Sequence, residues 1–147
     1  MKPAPTVTII RSGHVVRAGK TVAFRAQAGV SLRIRATVPS VSRHRLSSSY
    51  GYAPAHGYYV TFFVTLANTG TRPVAIGPGD FFVKLSRQGK VTTLMGNAPY
   101  SGASAQLDTT QLDAGETVSG PLTFDVIGPH GTLAFAPDGS PAISWTY

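Results

Sequence analysis

The sequence GYYVTFFVTLANTG, residues 57–70, decides the fold of this chain. Side chains of a β-strand alternate between two faces, so apolar residues at every second position predict a strand with one buried face. The apolar face holds Val60, Phe62, Val64 and Leu66, and the opposite face holds Tyr59, Thr61, Phe63 and Thr65. Burial contributes roughly 1.5–3 kcal/mol per large apolar side chain, so we expect this strand to form the floor of a core.

Further runs with strand character lie on both sides of this central strand. They are residues 6–10, 21–28, 30–38, 73–76, 80–86, 91–95, 117–126, 132–135 and 142–147, with a strand or irregular edge near 106–110. Residues 87–90 predict a hairpin turn between two of the runs. Pro39 is expected to end the run before it. Pro121 predicts an edge position or a bulge, because proline cannot donate a ladder hydrogen bond.

The pattern of short strands separated by turns predicts an all-β fold. Strands that each have one apolar face are typical of a two-sheet sandwich or a barrel. The even, repeated hairpins of an up-and-down barrel are missing, so we predict an immunoglobulin-like, two-sheet antiparallel β-sandwich. A chain of 147 residues suits one domain. We assign residues 1–20 to an N-terminal tether with a first short strand, and residues 21–147 to the sandwich.

The composition restricts the kinds of site and the location. The chain has no cysteine, which excludes a disulfide framework, a thiolate zinc site and a cysteine nucleophile. No apolar run approaches the roughly 18 residues needed to span a bilayer. Residues 1–5 are polar and proline-containing and resemble the tether left by a removed signal peptide, so we favour a mature secreted form over a cytoplasmic protein.

Charge is distributed unevenly along the chain. All six acidic residues lie at or after Asp80, whereas ten of the thirteen lysines and arginines precede it, and the net charge is +7. This asymmetry favours polyanionic partners such as acidic wall polymers or anionic lipid headgroups. Alternatively, the two halves interleave as neighbouring strands and partly neutralise each other. No nucleic-acid-binding motif accompanies the charge, so we expect no specific nucleic-acid partner.

Residues 40–56 form the longest segment without a regular period, and long irregular segments are usually functional or disordered. Aromatic rings stack on sugars, and guanidinium groups pair with phosphate or carboxylate. The segment and its flanking strands therefore supply a candidate ligand-binding set. Its members are Arg33, Arg35, Arg43, Arg45, Tyr50, Tyr52, Tyr58 and Tyr59. The alternative interpretation is a mobile crossover between two sheets whose tyrosines cap the core.

Nothing in the sequence signals catalysis. The nucleophile-elbow, phosphate-loop, dinucleotide-binding, zinc-protease and EF-hand motifs are all missing. The four histidines are scattered without metal-ligand spacing. Asp80 and Asp125 each adjoin a strand phenylalanine, where a carboxylate usually caps a turn or faces solvent. We expect a non-enzymatic protein with no catalytic residue, metal or cofactor. A hydrolase site without a recognisable motif is the remaining enzymatic alternative.

Several pieces of the sequence together resemble a known family. They are Leu66-Ala67-Asn68-Thr69-Gly70, Asp80-Phe81, Leu112 with Gly115-Glu116-Thr117, Gly120-x-Leu122-x-Phe124-Asp125-Val126, and Trp145. This combination is similar to the telokin-like, immunoglobulin-fold domain of bacterial secreted proteins and lipoproteins, a group of unknown function related in fold to a mycobacterial immunoprotective extracellular antigen. The resemblance implies an extracytoplasmic location, often with an upstream lipid anchor, and it supplies no catalytic residues.

Two functional hypotheses follow. The first is a module that binds a protein partner at the cell envelope through an exposed sheet face. Phe63 and Phe82 are the candidate interface residues. Each belongs to a pair of adjacent phenylalanines, and alternation along the strand directs one member of each pair away from the core. Self-association through such a face belongs to the same hypothesis. The second is a domain that binds a polyanion or carbohydrate through the basic, tyrosine-rich segment at residues 43–59.

Overall fold

A computed structural model of the chain describes residues 14–25, 30–47, 49–87, 90–95, 107–136 and 143–147. These residues form twelve strands and one short 3-10 helix, Pro78–Asp80. The strands are β1 (His14–Arg17), β2 (Thr21–Arg25), β3 (Ser31–Ala36), β4 (Ser40–Ser42), β5 (Tyr58–Asn68), β6 (Val74–Ala75), β7 (Phe81–Arg87), β8 (Lys90–Met95), β9 (Gln111–Leu112), β10 (Thr117–Val126), β11 (Thr132–Phe135) and β12 (Ile143–Thr146).

Two sheets make up the sandwich. The front sheet has the order β10-β5-β3-β2, and β4 pairs with β5 beyond the end of β3. The back sheet has the order β1-β12-β11-β7-β8, and β6 pairs separately with β9. The pairings are antiparallel except that of β1 with β12, which is parallel. The predicted immunoglobulin-like β-sandwich is confirmed.

The central strand β5 has the predicted faces. Val60, Phe62, Val64 and Leu66 are all completely buried. The Phe62 ring packs edge-on against Phe124 and Tyr147, with centroids 6.1 and 5.0 Å away. Trp145 is also fully buried, and its indole N–H donates to the Lys20 carbonyl at 3.0 Å. The core therefore joins β5 and β10 of the front sheet to the last strand of the back sheet.

Several predicted strand features match the structure. The ranges 117–126 and 132–135 are the observed β10 and β11, and the predicted hairpin is the antiparallel pair of β7 and β8. As Pro121 predicts, β10 lies at an edge of the front sheet. Within the predicted region 106–110, residues 107–110 are irregular and the short strand β9 follows them. The predicted run at residues 6–10 lies outside the described residues.

Two strands differ from the prediction. Residues 40–42 were expected to be irregular after Pro39, but they form β4 and pair with Tyr59, Val60 and Thr61. Pro39 therefore does not end the pairing with β5. Strand β1 was not predicted, and it pairs with β12 in the back sheet. The boundary predicted at residue 20 thus leaves one strand of the sandwich in the N-terminal segment.

A β-bulge separates β3 from β4. Ala36 pairs with Val64 and Ser40 pairs with Thr61, so three residues of this edge oppose two residues of β5. Thr37 bridges the irregularity: its backbone N–H donates to the Phe63 carbonyl at 3.1 Å, and its hydroxyl oxygen accepts the Phe63 N–H at 2.9 Å. The bulge is therefore a hydrogen-bonded feature with a defined conformation.

The turn after β5 is held by the buried side chain of Asn68. Its amide group donates to the carbonyls of Arg72 at 2.8 Å and Leu112 at 3.1 Å. Its carbonyl oxygen accepts the Gly70 N–H at 3.0 Å. Asn68 thus connects the end of β5 with the turn and with β9.

Candidate functional site

The outer face of the front sheet brings the predicted interface residue and two of the predicted arginines together. Cross-strand pairs place Arg33 opposite Ala67, Arg35 opposite Thr65, and Phe63 opposite Pro121. Successive residues of a strand point to opposite faces, so the odd-numbered residues 63, 65 and 67 of β5 share the outer face. We call the surface formed by Arg33, Arg35, Phe63, Thr65 and Pro121 the front face.

Phe63 is the aromatic centre of the front face. Its side chain is 49% exposed, although it lies in the middle of the longest strand of the sandwich. Polar pairs flank it on both sides, since the hydroxyls of Thr61 and Thr123, and those of Thr65 and Ser119, are each 3.0 Å apart. The result is an exposed phenylalanine set in a hydroxyl-rich sheet surface.

The two arginines give the front face a positive charge. Both side chains are exposed, and the Arg35 Nε donates to the Gly19 carbonyl at 3.3 Å. Among the described residues, the observed ion pair joins His56 and Asp125, and it includes neither arginine. The two halves of the chain do interleave, since β10 lies beside β5, but within the described ranges neither arginine makes a direct ion pair with the acidic half.

A loop covers one end of the same outer face. We call residues 43–47 and 49–57 the arginine–tyrosine loop. Asp125 holds its C-terminal part, since the carboxylate accepts the N–H groups of Ala55 at 2.8 Å and His56 at 2.9 Å. Tyr59 lies beneath the loop, only 2% exposed, and its hydroxyl donates to the Tyr52 carbonyl at 2.8 Å. Burial, and secondly the Asp125 charge, raise the pKa of Tyr59.

The predicted ligand-binding residues fall into two groups. The Arg43 guanidinium lies 5.3 Å from the centroid of the half-buried Tyr58 ring. Tyr50 and Tyr52 are 55% and 71% exposed, whereas Tyr59 is buried and presents no ring face to a ligand. Arg45 is also exposed on this loop. Tyr59, beneath the loop, and Thr65, opposite Arg35, are six residues apart on β5, which corresponds to about 20 Å along the strand. The loop residues and the pair Arg33–Arg35 therefore do not form one compact site.

Phe82, the second predicted interface residue, lies on the outer face of the back sheet. It is only half-buried, pairs with Ala134, and lies 5.4 Å from the Lys84 ammonium group. Ala134 is completely buried despite its outward position, and Phe82 is its cross-strand neighbour. The two phenylalanines therefore differ, and Phe63 is the one with a largely free side chain.

Three solved bacterial structures share this fold. The secreted protein MPT63 of Mycobacterium tuberculosis superposes with a TM-score of 0.63 at 16% identity, covering 90% of this chain and 96% of that chain. A candidate lipoprotein, ycdA of Bacillus subtilis subsp. subtilis str. 168, gives 0.59 at 14% identity, covering 89% of this chain and 39% of that chain. The yjhA protein of Bacillus subtilis gives 0.50 at 19% identity, covering 88% and 84%.

These matches confirm the predicted resemblance at the level of fold. No protein-family model matches the sequence, and no curated protein is significantly similar to it. The likeness therefore concerns the fold and not the chemistry of the surface.

Two contributors to the site were not predicted. Pro121 lies opposite Phe63, and Asp125 anchors the arginine–tyrosine loop. Both roles depend on the pairing of β10 with β5, whose residues are about sixty apart in sequence. The alternation within each strand gives its faces, but it does not give the register between two distant strands.

The described residues contain no group of three histidine, aspartate or glutamate side chains placed to hold a metal ion. Asp80 serves the backbone: its carboxylate accepts the Gly77 N–H at 2.9 Å and caps the 3-10 helix. Burial raises the pKa of Asp80, and this hydrogen bond partly opposes the shift. In the described ranges, no helix is both long and apolar enough to cross a lipid bilayer.

Proposed function

We propose that this protein is a non-enzymatic, extracytoplasmic module that binds a protein partner at the cell envelope through the front face. The observation that carries the proposal is the 49% exposure of Phe63 on the same sheet surface as two exposed arginines. The non-enzymatic part rests on the sequence, which contains no recognised catalytic motif. Partner and location are separate parts of the proposal and are tested separately.

The composition of the front face supports a protein partner. Aromatic residues and arginine are enriched at protein interfaces and supply most of their binding energy, whereas lysine and glutamate are depleted there. Phe63 offers an apolar anchor, and Arg33 and Arg35 offer planar guanidinium groups that pair with carboxylates in two-point hydrogen bonds. The face therefore fits a partner with an apolar depression bordered by acidic side chains.

The likeness to other proteins supports the location. MPT63 is a secreted protein, and ycdA is a candidate lipoprotein. A sandwich of similar fold is thus found in a secreted bacterial protein. Fractionation of the native host, followed by immunoblotting, tests this part, and we expect the protein in the culture medium or the membrane fraction. Detection in the cytoplasm alone would overturn the location without bearing on the front face.

Site-specific photo-crosslinking tests the partner. Phe63 is replaced by p-benzoylphenylalanine, and the matched control places the same amino acid at Val15, which is 66% exposed on the outer face of the back sheet. After irradiation of intact cells, we expect a discrete protein adduct from position 63 and none from position 15. Adding Arg33→Ser and Arg35→Ser should reduce the adduct at least several-fold. Equal labelling at both positions, or none at position 63, contradicts the proposal.

A polyanion- or carbohydrate-binding role is the second candidate. It is favoured by the exposed Arg43 stacked on Tyr58 and by the exposed rings of Tyr50 and Tyr52. Retention on immobilised heparin or purified wall polymer measures it. A large fall in the eluting salt concentration after serine replacement of Arg33, Arg35, Arg43 and Arg45 would favour this role, and unchanged retention would remove it.

A further inference from the structure

A groove of about 450 Å³ lies where the two sheets separate at one edge of the sandwich. Its lining comes from both sheets: the turn after β1, the β3–β4 bulge, β4, the turn after β10 and the end of β12. The Tyr147 ring forms part of the lining and packs edge-on against Phe62 of the core, 5.0 Å between centroids. The groove therefore begins at the surface and ends against the core.

The walls of the groove are largely apolar. Val38, Pro39 and Val41 lie on the front-sheet side, and Pro129 belongs to the turn after β10. Val38 is 72% exposed and Val41 is 45% exposed. The hydrogen bonds of Thr37 fix the bulge that holds Val38 in this position. Clustered, solvent-exposed apolar side chains beside a depression are typical of a ligand-binding groove.

The rim of the groove is basic. Arg17 and His130 line it and both are exposed, whereas no aspartate or glutamate of the described residues lines it. Arg17 ends β1, opposite Thr146, and the next N–H, of Ala18, donates to the Thr146 carbonyl at 2.9 Å. The guanidinium group is thus carried by a paired strand, and Arg17 has no ion-pair partner among the described residues.

We infer that this groove binds a free, medium-chain organic carboxylate, with its apolar body against Val38, Val41 and Tyr147 and its carboxylate at Arg17. The volume lies within the range of small-molecule pockets, about 300–1,000 Å³. A guanidinium group forms charge-assisted hydrogen bonds with a carboxylate, and an aliphatic chain covers the exposed valines. The complementary charge at the rim distinguishes this ligand from a neutral or cationic amphiphile. This inference is independent of the front face.

Titration of the isotope-labelled protein with sodium octanoate, below its micelle concentration, tests the inference by NMR. We expect saturable shift changes at residues 17–18, 38–41, 129–130 and 146–147. Octyltrimethylammonium, with the same chain and the opposite charge, should produce no saturable change. Arg17→Gln should weaken octanoate binding about tenfold, the cost of losing a charge-assisted hydrogen bond. Lys20→Gln is the matched control, since Lys20 is exposed in the same turn but does not line the groove.

A second variant tests the apolar part. Val38→Asp should abolish octanoate binding while leaving the unfolding midpoint unchanged, because the side chain is 72% exposed. The inference is overturned if octanoate causes no saturable shifts, if the shifts lie elsewhere, or if the cationic amphiphile binds equally well. It is also overturned if Arg17→Gln and Lys20→Gln have the same effect, or if the protein binds anionic phosphatidylglycerol vesicles but not octanoate.

Discussion

Asn68 shows how much one buried polar side chain contributes when all its hydrogen bonds are made inside the protein. It is 1% exposed and joins three backbone groups, those of Gly70, Arg72 and Leu112. The sequence predicts a turn at this position from the residue types alone. It does not reveal that the side chain also reaches β9, because that contact spans 44 residues.

Asn68→Ala is expected to destabilise the fold by roughly 2–4 kcal/mol, since it leaves buried backbone groups without partners. Thr69→Ala is the matched control: the side chain is exposed, and its backbone N–H keeps its bond to the Ser31 carbonyl. Urea unfolding measures both variants. Equal midpoints would show that water replaces the Asn68 hydrogen bonds without cost.

Gly77 and Gly79 provide a second test at the residue scale. A Cβ atom at Gly77 would overlap the Thr109 carbonyl oxygen, whereas one at Gly79 would meet nothing within 4 Å. Gly77→Ala should therefore destabilise the fold by about 1–3 kcal/mol through overpacking, and Gly79→Ala should change the stability by less than about 0.5 kcal/mol. Thermal unfolding of both variants checks this. Similar losses at the two positions would contradict the close approach of residue 109.

Tyr147 carries a prediction about alkaline stability. Its hydroxyl is buried without a hydrogen-bond partner among the described residues, and burial raises its pKa from the ordinary value of 10.0 to about 12. In the unfolded chain the phenol ionises near pH 10, while in the fold it stays protonated until about pH 12. Its contribution to stability is therefore complete below pH 10 and is lost as the pH rises from 10 to 12.

Tyr147→Phe should remove this pH dependence, and near pH 7 it should be as stable as the natural protein or more stable, because no unpaired hydroxyl is buried. Denaturant unfolding between pH 7 and pH 12 measures the difference between the two proteins. Other ionising groups cancel in that difference. Parallel stability curves for the two proteins would contradict the raised pKa.

At the scale of the element, local alternation determined which segments the sequence could predict. Strand β10 has the predicted bounds because its apolar pattern extends over ten residues, and β11 has them because the turn residues 128–131 precede its apolar run. Strand β4 was missed because its pairing depends on β5, whose eleven residues extend past the end of β3. Strand β1 was missed because four residues show too little pattern, and its partner β12 is at the other end of the described chain.

The β3–β4 bulge is testable through Thr37. Thr37→Val keeps the shape of the side chain but removes the acceptor for the Phe63 N–H, and Thr37→Ser keeps the acceptor. We expect Thr37→Val to cost about 1 kcal/mol more than Thr37→Ser in free energy of unfolding. Faster hydrogen exchange of the Phe63 N–H in Thr37→Val, but not in Thr37→Ser, would show that the lost hydrogen bond causes the difference in stability. If the serine variant were the less stable one, packing of the methyl group would be the dominant contribution.

The Asp125 carboxylate holds the C-terminal part of the arginine–tyrosine loop. Asp125→Ala removes the acceptor of two N–H groups, those of Ala55 and His56, which should cost roughly 1.5–3 kcal/mol per bond at most and release this part of the loop. Hydrogen exchange at residues 55 and 56 should increase, while exchange in β11 and β12 stays slow. Asp108→Ala, at an exposed position, is the control. Unchanged exchange at both residues would show that the loop is held by other contacts.

At the scale of the whole molecule, the sequence predicted the fold better than the site. The alternation of residues along β5 predicted both the buried face of the core and the exposed position of Phe63, because both follow from the pattern within a single strand. The eight candidate ligand-binding residues were grouped by proximity in sequence, and the sheet separates Arg33 and Arg35 from the loop by about 20 Å. The groove was not predicted, because its walls come from segments far apart in the chain.

The parallel pairing of β1 with β12 has a consequence for how the molecule acquires its structure. Val16 and Thr146 are in contact although they are 130 positions apart in the sequence. Closing so long a loop delays the contact, and topologies dominated by distant partners fold in milliseconds to seconds. During synthesis, the pairing of β11 with β12 and of β1 with β12 cannot form until β12 has left the ribosome. Until then β11 has an unpaired edge, which is the stage at which a nascent chain of this kind is most exposed to aggregation or to a chaperone.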